Sequence, residues 1–181
     1  MRITGGQYLR RNIICPPGVI RPAMDRMRES LFAILGDLTG YSFLDLFSGS
    51  GCVAIEAASR GAEPVDLVEM DRGKKATIEK NLSFVKEKHH LYMMDVNRYI
   101  ATCISSYSII YADPPFNMEG KIELANKIAK SSILKEGGLF IIHYPGEEDK
   151  LWPEGGIEGL NLIDERKYGR SHLKFFRKES E

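Results

Sequence analysis

The sequence lacks a net charge, a long apolar run and any closely spaced pair of cysteines. Its 25 basic and 25 acidic residues cancel, so no overall field draws the protein to nucleic acid or to a membrane. No apolar run approaches the ~18 residues that span a bilayer. Cys15, Cys52 and Cys103 share no C-x-x-C spacing, which argues against a zinc site and a disulfide framework. We therefore expect a cytosolic protein with reduced thiols, no metal and no membrane anchor.

Positive charge is nevertheless concentrated near the N-terminus, which also lacks the apolar core of a signal peptide. Residues 1–30 contain six arginines against Asp25 and Glu29, a local net charge of +4. Two interpretations remain open from charge alone, a solvated arm or a surface that faces RNA. The arginines are Arg2, Arg10, Arg11, Arg21, Arg26 and Arg28.

The segment 21–36 predicts an amphipathic helix that ends at Gly36. Its apolar residues recur at helical spacing along one stripe, which comprises Met27, Leu31, Ile34 and Leu35. Arg26 and Arg28 lie off this stripe, so we expect their side chains to be free for solvent or a ligand.

From residue 42 onward, five short apolar strands alternate with helices, a pattern typical of parallel βαβ units. Residues 160–178 instead predict two strands joined tightly around Gly169, which must pair antiparallel because no crossover helix fits between them. We therefore predict a Rossmann-like α/β fold, with a doubly wound, mostly parallel sheet and a C-terminal antiparallel hairpin. We divide the chain into a basic arm and helix (1–36), packed on or covering the site, and a main domain (37–181).

A glycine turn follows the first strand, where Gly49 and Gly51 form a G-x-G. It is not the full G-x-G-x-x-G fingerprint, because Ala54 occupies the third position. The turn is a weak motif alone. Its context between a strand and a helix favours a site where a cofactor approaches the backbone.

Acidic residues occur at the carboxyl ends of four predicted strands: Asp45, Glu69, Asp95 and Asp113. Carboxylates beside the glycine turn would repel a pyrophosphate, and no P-loop lysine is present. S-adenosylmethionine (SAM) suits these acids better, because it carries a cationic sulfonium and ammonium, a ribose diol and an adenine. Asp45 and the turn would hold the methionine end, Glu69 the ribose and Asp95 the adenine.

The sequence "DPPF" at residues 113–116 resembles the [D/N/S]-P-P-[Y/F/W] motif of methyltransferases that act on exocyclic amines of bases. Such an amine is a poor nucleophile, and two acceptors aimed at its N–H bonds stabilise its developing positive charge. The resemblance assigns these acceptors to the Asp113 carboxylate and the Pro114 carbonyl, and assigns base stacking to Phe116. The alternative is a rigid strand-exit turn with Phe116 in the core.

The segment "RPAMDRMRESLFAIL", followed in order by "FLDLFSGSGCVAIEAASRGA", "VDLVEMD", "DPPF" and "YGRSHLKFF", resembles the RsmD family. That family methylates the N2 amine of a guanine in 16S rRNA, and the resemblance runs from about residue 2 to residue 177. By position, it adds Ser48 to the cofactor loop and Arg21, Asp25, Arg26 and Arg28 to an N-terminal motif that covers the methionine end or the RNA.

The resemblance implies rRNA as the partner, within a small ribosomal subunit or an assembly intermediate, and we expect a monomer. The candidate substrate-binding residues are Arg10, Arg11, Arg21, Arg26 and Tyr168, although Tyr168 could simply pack at the hairpin.

Three other functions remain in view. The motif itself does not name the base, so adenine-N6 methylation of DNA or RNA is the main alternative. A non-catalytic RNA-binding module is disfavoured because Asp113 and the glycines of the turn are present, and a dehydrogenase would leave "DPPF" without a role.

The four histidines have no metal-ligand spacing, and we expect them at the surface or at strand ends; they are His89, His90, His143 and His172.

Overall fold

A computed structural model describes residues 1–15 and 22–180. The helices are α1 (Pro22–Leu35), α2 (Cys52–Ser59), α3 (Lys75–Leu82), α4 (Val96–Thr102) and α5 (Lys121–Lys130). The strands are β1 (Phe43–Leu46), β2 (Val65–Glu69), β3 (His89–Met93), β4 (Tyr107–Ala112), β5 (Leu134–Pro145), β6 (Leu160–Tyr168) and β7 (Ser171–Lys178). Short 3₁₀ helices lie at Arg72–Lys74 and Gly146–Leu151.

The strands form one sheet in the order β3-β2-β1-β4-β5-β7-β6. Strands β1 to β5 pair in parallel, whereas β7 pairs antiparallel with both β5 and β6. The predicted Rossmann-like sheet with a C-terminal hairpin is therefore confirmed. Strand order reverses between β1 and β4, and open α/β sheets bind ligands at such a switch point, outside the carboxyl ends of the strands.

Both faces of the sheet are covered, which explains why the parallel strands are apolar almost throughout. Helices α1 to α3 pack on one face with side chains such as Phe43, Tyr111 and Ile141. Helices α4 and α5 pack on the other with Ala112 and Ile142. Because side chains alternate along a strand, each residue's parity decides which face it reaches.

The N-terminal arm packs as part of the core rather than as a solvated tail. Ile3, Tyr8 and Ile13 are each less than a tenth exposed and belong to the same hydrophobic cluster as α1 and α2. The fully buried carboxylate of Glu56 accepts hydrogen bonds from the backbone N–H of Thr4 at 2.9 Å and of Gly5 at 3.2 Å. The arm is therefore fastened to α2.

Helix α1 buries a different stripe from the predicted one. Phe32 is fully buried beside Leu31, whereas Ile34 is 40% exposed, so the prediction for Ile34 was wrong. The expectation that Arg28 is free was also wrong, because Arg28 is 5% exposed and donates to the Arg2 carbonyl at 2.6 Å. Its guanidinium also lies 3.5 Å from Glu56. The physical reason is that α1 contacts both α2 and the hairpin, which widens its buried face.

Within the described residues, no helix is long and apolar enough to cross a membrane, and no group of three or more metal-ligating side chains occurs.

Candidate active site

A cavity of about 960 Å³ opens at the carboxyl ends of the parallel strands, and we call it the outer chamber. A smaller inner chamber of about 170 Å³ lies beneath α1. The two share walls formed by Met24, Phe47, Gly49 and Asp113. Together they occupy the switch point of the sheet, and the outer chamber has the size of an ordinary small-molecule site.

Three of the four predicted acids line the outer chamber: Glu69, Asp95 and Asp113. Glu69 is 7% exposed, and its two carboxylate oxygens accept N–H bonds from Gly49 and Asp71, each at 2.8 Å. Asp95 is exposed and caps α4, accepting the N–H of Arg98 at 3.1 Å. The acids therefore converge on one cavity from successive strands.

The glycine turn lies between the chambers. Gly49 has φ +61° and lines both of them, and a Cβ there would meet no protein atom within 4 Å. Gly51 has φ +80°, but a Cβ there would press on Leu67 at 3.2 Å. Gly51 thus serves the packing of α2 on the sheet and does not line either chamber. Ser48 lines the inner chamber and donates its hydroxyl to the Asp45 carbonyl at 2.8 Å.

Asp45 lies behind the chamber wall rather than in it. It is 1% exposed, and its Oδ2 accepts no hydrogen bond from the described residues. Burial, reinforced by the negative charge of Asp113, raises the pKa of Asp45 well above its ordinary value. A cationic ligand group would stabilise the charged form of a buried acid that lies beside a second acid. These acidic acceptors fit the ammonium and sulfonium of SAM and do not fit a phosphate.

The "DPPF" turn forms one wall of the outer chamber. Pro114 and Phe116 line it, while Asp113 lines both chambers. Lys121, which is 5% exposed, donates its ammonium to the carbonyl oxygens of Phe116 at 3.0 Å and Met118 at 2.8 Å. The Pro114 carbonyl accepts no hydrogen bond from the described residues. Lys121 thus braces the turn, and the Pro114 carbonyl is left without a partner among the described residues.

His143 is the chief residue that sequence reasoning missed. We expected a surface or strand-end histidine, but His143 is 1% exposed within β5, so a surface position was wrong. Its Nδ1 lies 2.7 Å from Asp113 Oδ1, and its ring meets the Phe116 ring edge-on with centroids 5.0 Å apart. The same strand-end argument that singled out the acids applies to this residue, because it follows the apolar run of β5.

Two further residues that line the cavity, and one beside the "DPPF" turn, were not among the predicted site residues. Phe47 is a non-glycine residue with φ +63°, and it lines both chambers, so strained backbone coincides with the site. Met70 lines the outer chamber and is 66% exposed. Arg170 holds its guanidinium 5.3 Å from the centre of the Phe116 ring and pairs with Glu147.

The candidate substrate-binding residues do not gather in one place. Arg26 and Tyr168 line a shallow groove on α1, outside both chambers. Arg10 and Arg11 are exposed on the N-terminal arm, where Arg11 lies 4.8 Å from the centre of the Phe84 ring, and they line neither chamber. Arg21 lies outside the described residues.

Curated relatives, a solved structure and a family model all place this chain in one family. The chain is 33% identical over 146 residues to ribosomal RNA small subunit methyltransferase D of Escherichia coli strain K12, covering 78% of this chain and 73% of that protein. It is 28% identical to the Bacillus subtilis protein YlbH, covering 98% of this chain and 99% of the relative. The solved structure of Escherichia coli yhhF superposes with a TM-score of 0.87 at 26% identity, covering 100% of this chain and 99% of that chain. The model of a family described as conserved hypothetical protein 95 matches residues 1–177. The chain therefore belongs to this family, the RsmD family.

Proposed function

We propose that this protein methylates the exocyclic N2 amine of a guanine in small-subunit (16S) rRNA. The coarser statement, that it is a SAM-dependent rRNA methyltransferase, follows from its membership of the family. The observation that carries the proposal is that Asp113 forms part of the wall shared by the two chambers. An acid at that position can face both a cofactor and a target base.

We assign the cofactor to the glycine turn and the acids around it. Gly49 and Ser48 would approach its methionine end, with the buried carboxyl group of Asp45 behind them. Glu69 would accept from the ribose hydroxyls and Asp95 would lie on the adenine side. Bound there, SAM supplies an electrophilic methyl group on a cationic sulfur. Residues 1–36 contribute Met24 and Arg28 to the inner chamber, which supports their role as a cover over this end.

We assign the target amine to Asp113 and Pro114. The carboxylate and the carbonyl accept its two N–H bonds and stabilise the positive charge that develops on nitrogen. Asp113 then holds the proton that the methylated nitrogen releases. Phe116 stacks on the base, and a base splayed out of its RNA strand is the form in which such stacking works.

The RNA itself would meet the surface around this opening. Arg170 beside Phe116 supports a contact with the target nucleotide, and the Arg26 and Tyr168 groove supports one farther along the strand. Arg10 and Arg11 could contact only RNA distant from the reacting base. We further propose that the protein acts as a cytoplasmic monomer on a small subunit or an assembly intermediate.

The test is to incubate the protein with labelled SAM and small subunits from cells that lack the enzyme, and then to digest the rRNA to nucleosides. We expect label in N2-methylguanosine, and none with the Asp113→Ala variant. Label in N6-methyladenosine would refute the base assignment, and no label in rRNA would refute the proposed function.

A further inference from the structure

We propose that His143 is a positioning residue, which holds the Asp113 carboxylate so that one oxygen faces the target amine. The proposal rests on the proposed function for its meaning in the reaction. Its structural basis is the 2.7 Å contact between His143 Nδ1 and Asp113 Oδ1, with a histidine side chain that is 2% exposed and an aspartate side chain that is 26% exposed.

Strand register brings the two residues together. Ala112 of β4 pairs with Ile142 of β5, and each points to the α4 and α5 face of the sheet. The next residue on each strand therefore points to the opposite face, at the carboxyl edge. Asp113 and His143 are consequently neighbours on adjacent strands, although 30 residues separate them along the chain.

Chemistry fixes the direction of the hydrogen bond. An ionised carboxylate is an acceptor only, so Nδ1 must carry the proton that is shared with Asp113. His143 Nε2 is buried and has no hydrogen-bond partner among the described residues. The other tautomer would bury an unpaired N–H donor and lose the bond to Asp113, which makes it the less favourable arrangement.

This arrangement uses one carboxylate oxygen and leaves the other. Oδ1 of Asp113 is occupied by His143, whereas the described residues offer no hydrogen bond to Oδ2. The T-shaped contact between the His143 and Phe116 rings fixes the other end of the "DPPF" turn at the same time. One histidine thus orients both the acceptor for the amine and the ring proposed to stack on the base.

The first experiment reads the tautomer directly and does not depend on activity. Nitrogen-15 NMR of the imidazole rings at pH 8 should show His143 with a proton on Nδ1, the signals being assigned by their loss in His143→Asn. A proton on Nε2 alone would overturn the proposal, because Nδ1 could then not donate to Asp113.

The second experiment separates positioning from packing with three variants, assayed on small ribosomal subunits. His143→Leu removes the donor, and kcat should fall about 100-fold because a misplaced group costs about that much. KM for the subunits should change less than about threefold, since the bond acts on the reacting amine rather than on RNA binding. His143→Asn presents an amide N–H near the position of Nδ1 and should recover at least about tenfold of the loss. His143→Gln, whose amide reaches farther, should not.

Two outcomes would overturn the proposal: an unchanged kcat in the leucine variant, or equal losses in the asparagine and glutamine variants. Thermal unfolding and calorimetric binding of SAM identify a variant that fails to fold. If the leucine variant fails to fold, the asparagine and glutamine pair still decides between positioning and packing.

His172→Asn is the matched control. His172 lies on the neighbouring strand β7, and its Nδ1 contacts Asp149 at 3.0 Å; Asp149 lines neither chamber. Its kcat should stay within about twofold of the parent. A parent protein that leaves rRNA unlabelled refutes the proposed function, whereas the tautomer result still stands or falls by itself.

Discussion

Two aspartate–histidine pairs in this molecule have nearly the same geometry and opposite surroundings. Asp113 and His143 meet at 2.7 Å across β4 and β5, and Asp66 and His90 meet at 2.9 Å across β2 and β3, in each case through Nδ1 and Oδ1. In the first pair the histidine is buried, with 2% of its side chain exposed, and the acid is 26% exposed. In the second pair the acid is buried, with 7% of its side chain exposed, and 46% of the histidine side chain is exposed.

The difference lies in the second carboxylate oxygen. Oδ2 of Asp66 accepts the hydroxyl of Tyr107, which in turn pairs with the hydroxyl of Tyr99 at 2.6 Å. Burial and the nearby Asp66 charge raise the pKa of Tyr107, so its hydroxyl stays neutral and able to donate. Each oxygen of Asp66 thus has a partner, whereas Asp113 lines both chambers and its Oδ2 has no hydrogen-bond partner among the described residues. The role of each acid in this protein therefore depends on which of its acceptor oxygens the fold leaves without a partner.

The largest expected effect comes from removing the acid with the unused oxygen. Asp113→Ala should lower kcat about 1,000-fold, because it deletes an acceptor aimed at developing charge. SAM affinity should change little, since the proposed target of this carboxylate is the base amine. Methylation kinetics on small subunits and calorimetry with SAM check both parts. A parallel loss of SAM binding would mean that Asp113 belongs to the cofactor site instead.

The matching change in the other pair should affect stability rather than catalysis. Asp66→Ala leaves the Tyr107 hydroxyl buried without its acceptor and should lower the free energy of unfolding by about 3 kcal/mol. We expect kcat at a temperature where the variant is folded to stay within about threefold. Urea denaturation and methylation kinetics measure the two quantities. A large fall in kcat without a loss of stability would contradict this prediction, because Asp66 would then act in the reaction as Asp113 does.

Glu69 tests an acid that is partnered by backbone yet lines the outer chamber. Glu69→Ala should weaken SAM binding about tenfold, or about 1.4 kcal/mol, because it removes the proposed ribose acceptor and frees the N–H of Gly49. Glu63→Ala is the control, since Glu63 is an exposed acid before the other end of β2 and accepts the N–H of Lys88 at 2.7 Å. Calorimetric titration should find its SAM affinity unchanged. Equal effects of the two substitutions would contradict the assignment.

The last prediction is a pH dependence at Asp45, which is buried and whose Oδ2 has no hydrogen-bond partner among the described residues. Its pKa is raised in the folded protein, so above its ordinary value of 3.8 the folded state binds more protons than the unfolded state. The free energy of unfolding therefore falls as pH rises through this window. Asp45→Asn removes that fall, and its stability relative to the parent should increase between pH 4 and pH 8. Urea denaturation at the two pH values measures this, and an unchanged difference would rule it out.

Much of this fold is predictable from local patterns. Short apolar strands alternating with helices predict the parallel sheet, and the tight link at Gly169 predicts the hairpin. The strand-end rule also predicts that Glu69, Asp95 and Asp113 reach one edge, since every parallel strand ends there. These inferences need only neighbouring residues and the general geometry of βαβ units.

The failures concern partners that are distant in sequence. Arg28 looks like a free charge on a helix, but it is buried because it pairs with Glu56 on α2, 28 residues farther along the chain. Asp45 looks like a cavity acid, but it lies behind the wall, 1% exposed, because β1 places it level with Tyr111, two residues before Asp113 in the chain. His143 looks like an isolated histidine, because nothing within β5 indicates that β4 lies beside it in register with Asp113.

Local patterns in the chain are enough to specify the sheet, the edge at which its acids collect and the amino-methyltransferase motif, because periodicity, glycine and proline act within a few residues. The use of each carboxylate is set by tertiary contacts. That depends on strand order and register, which bring together side chains such as Asp113 and His143 and set how much water and how many donors each oxygen meets.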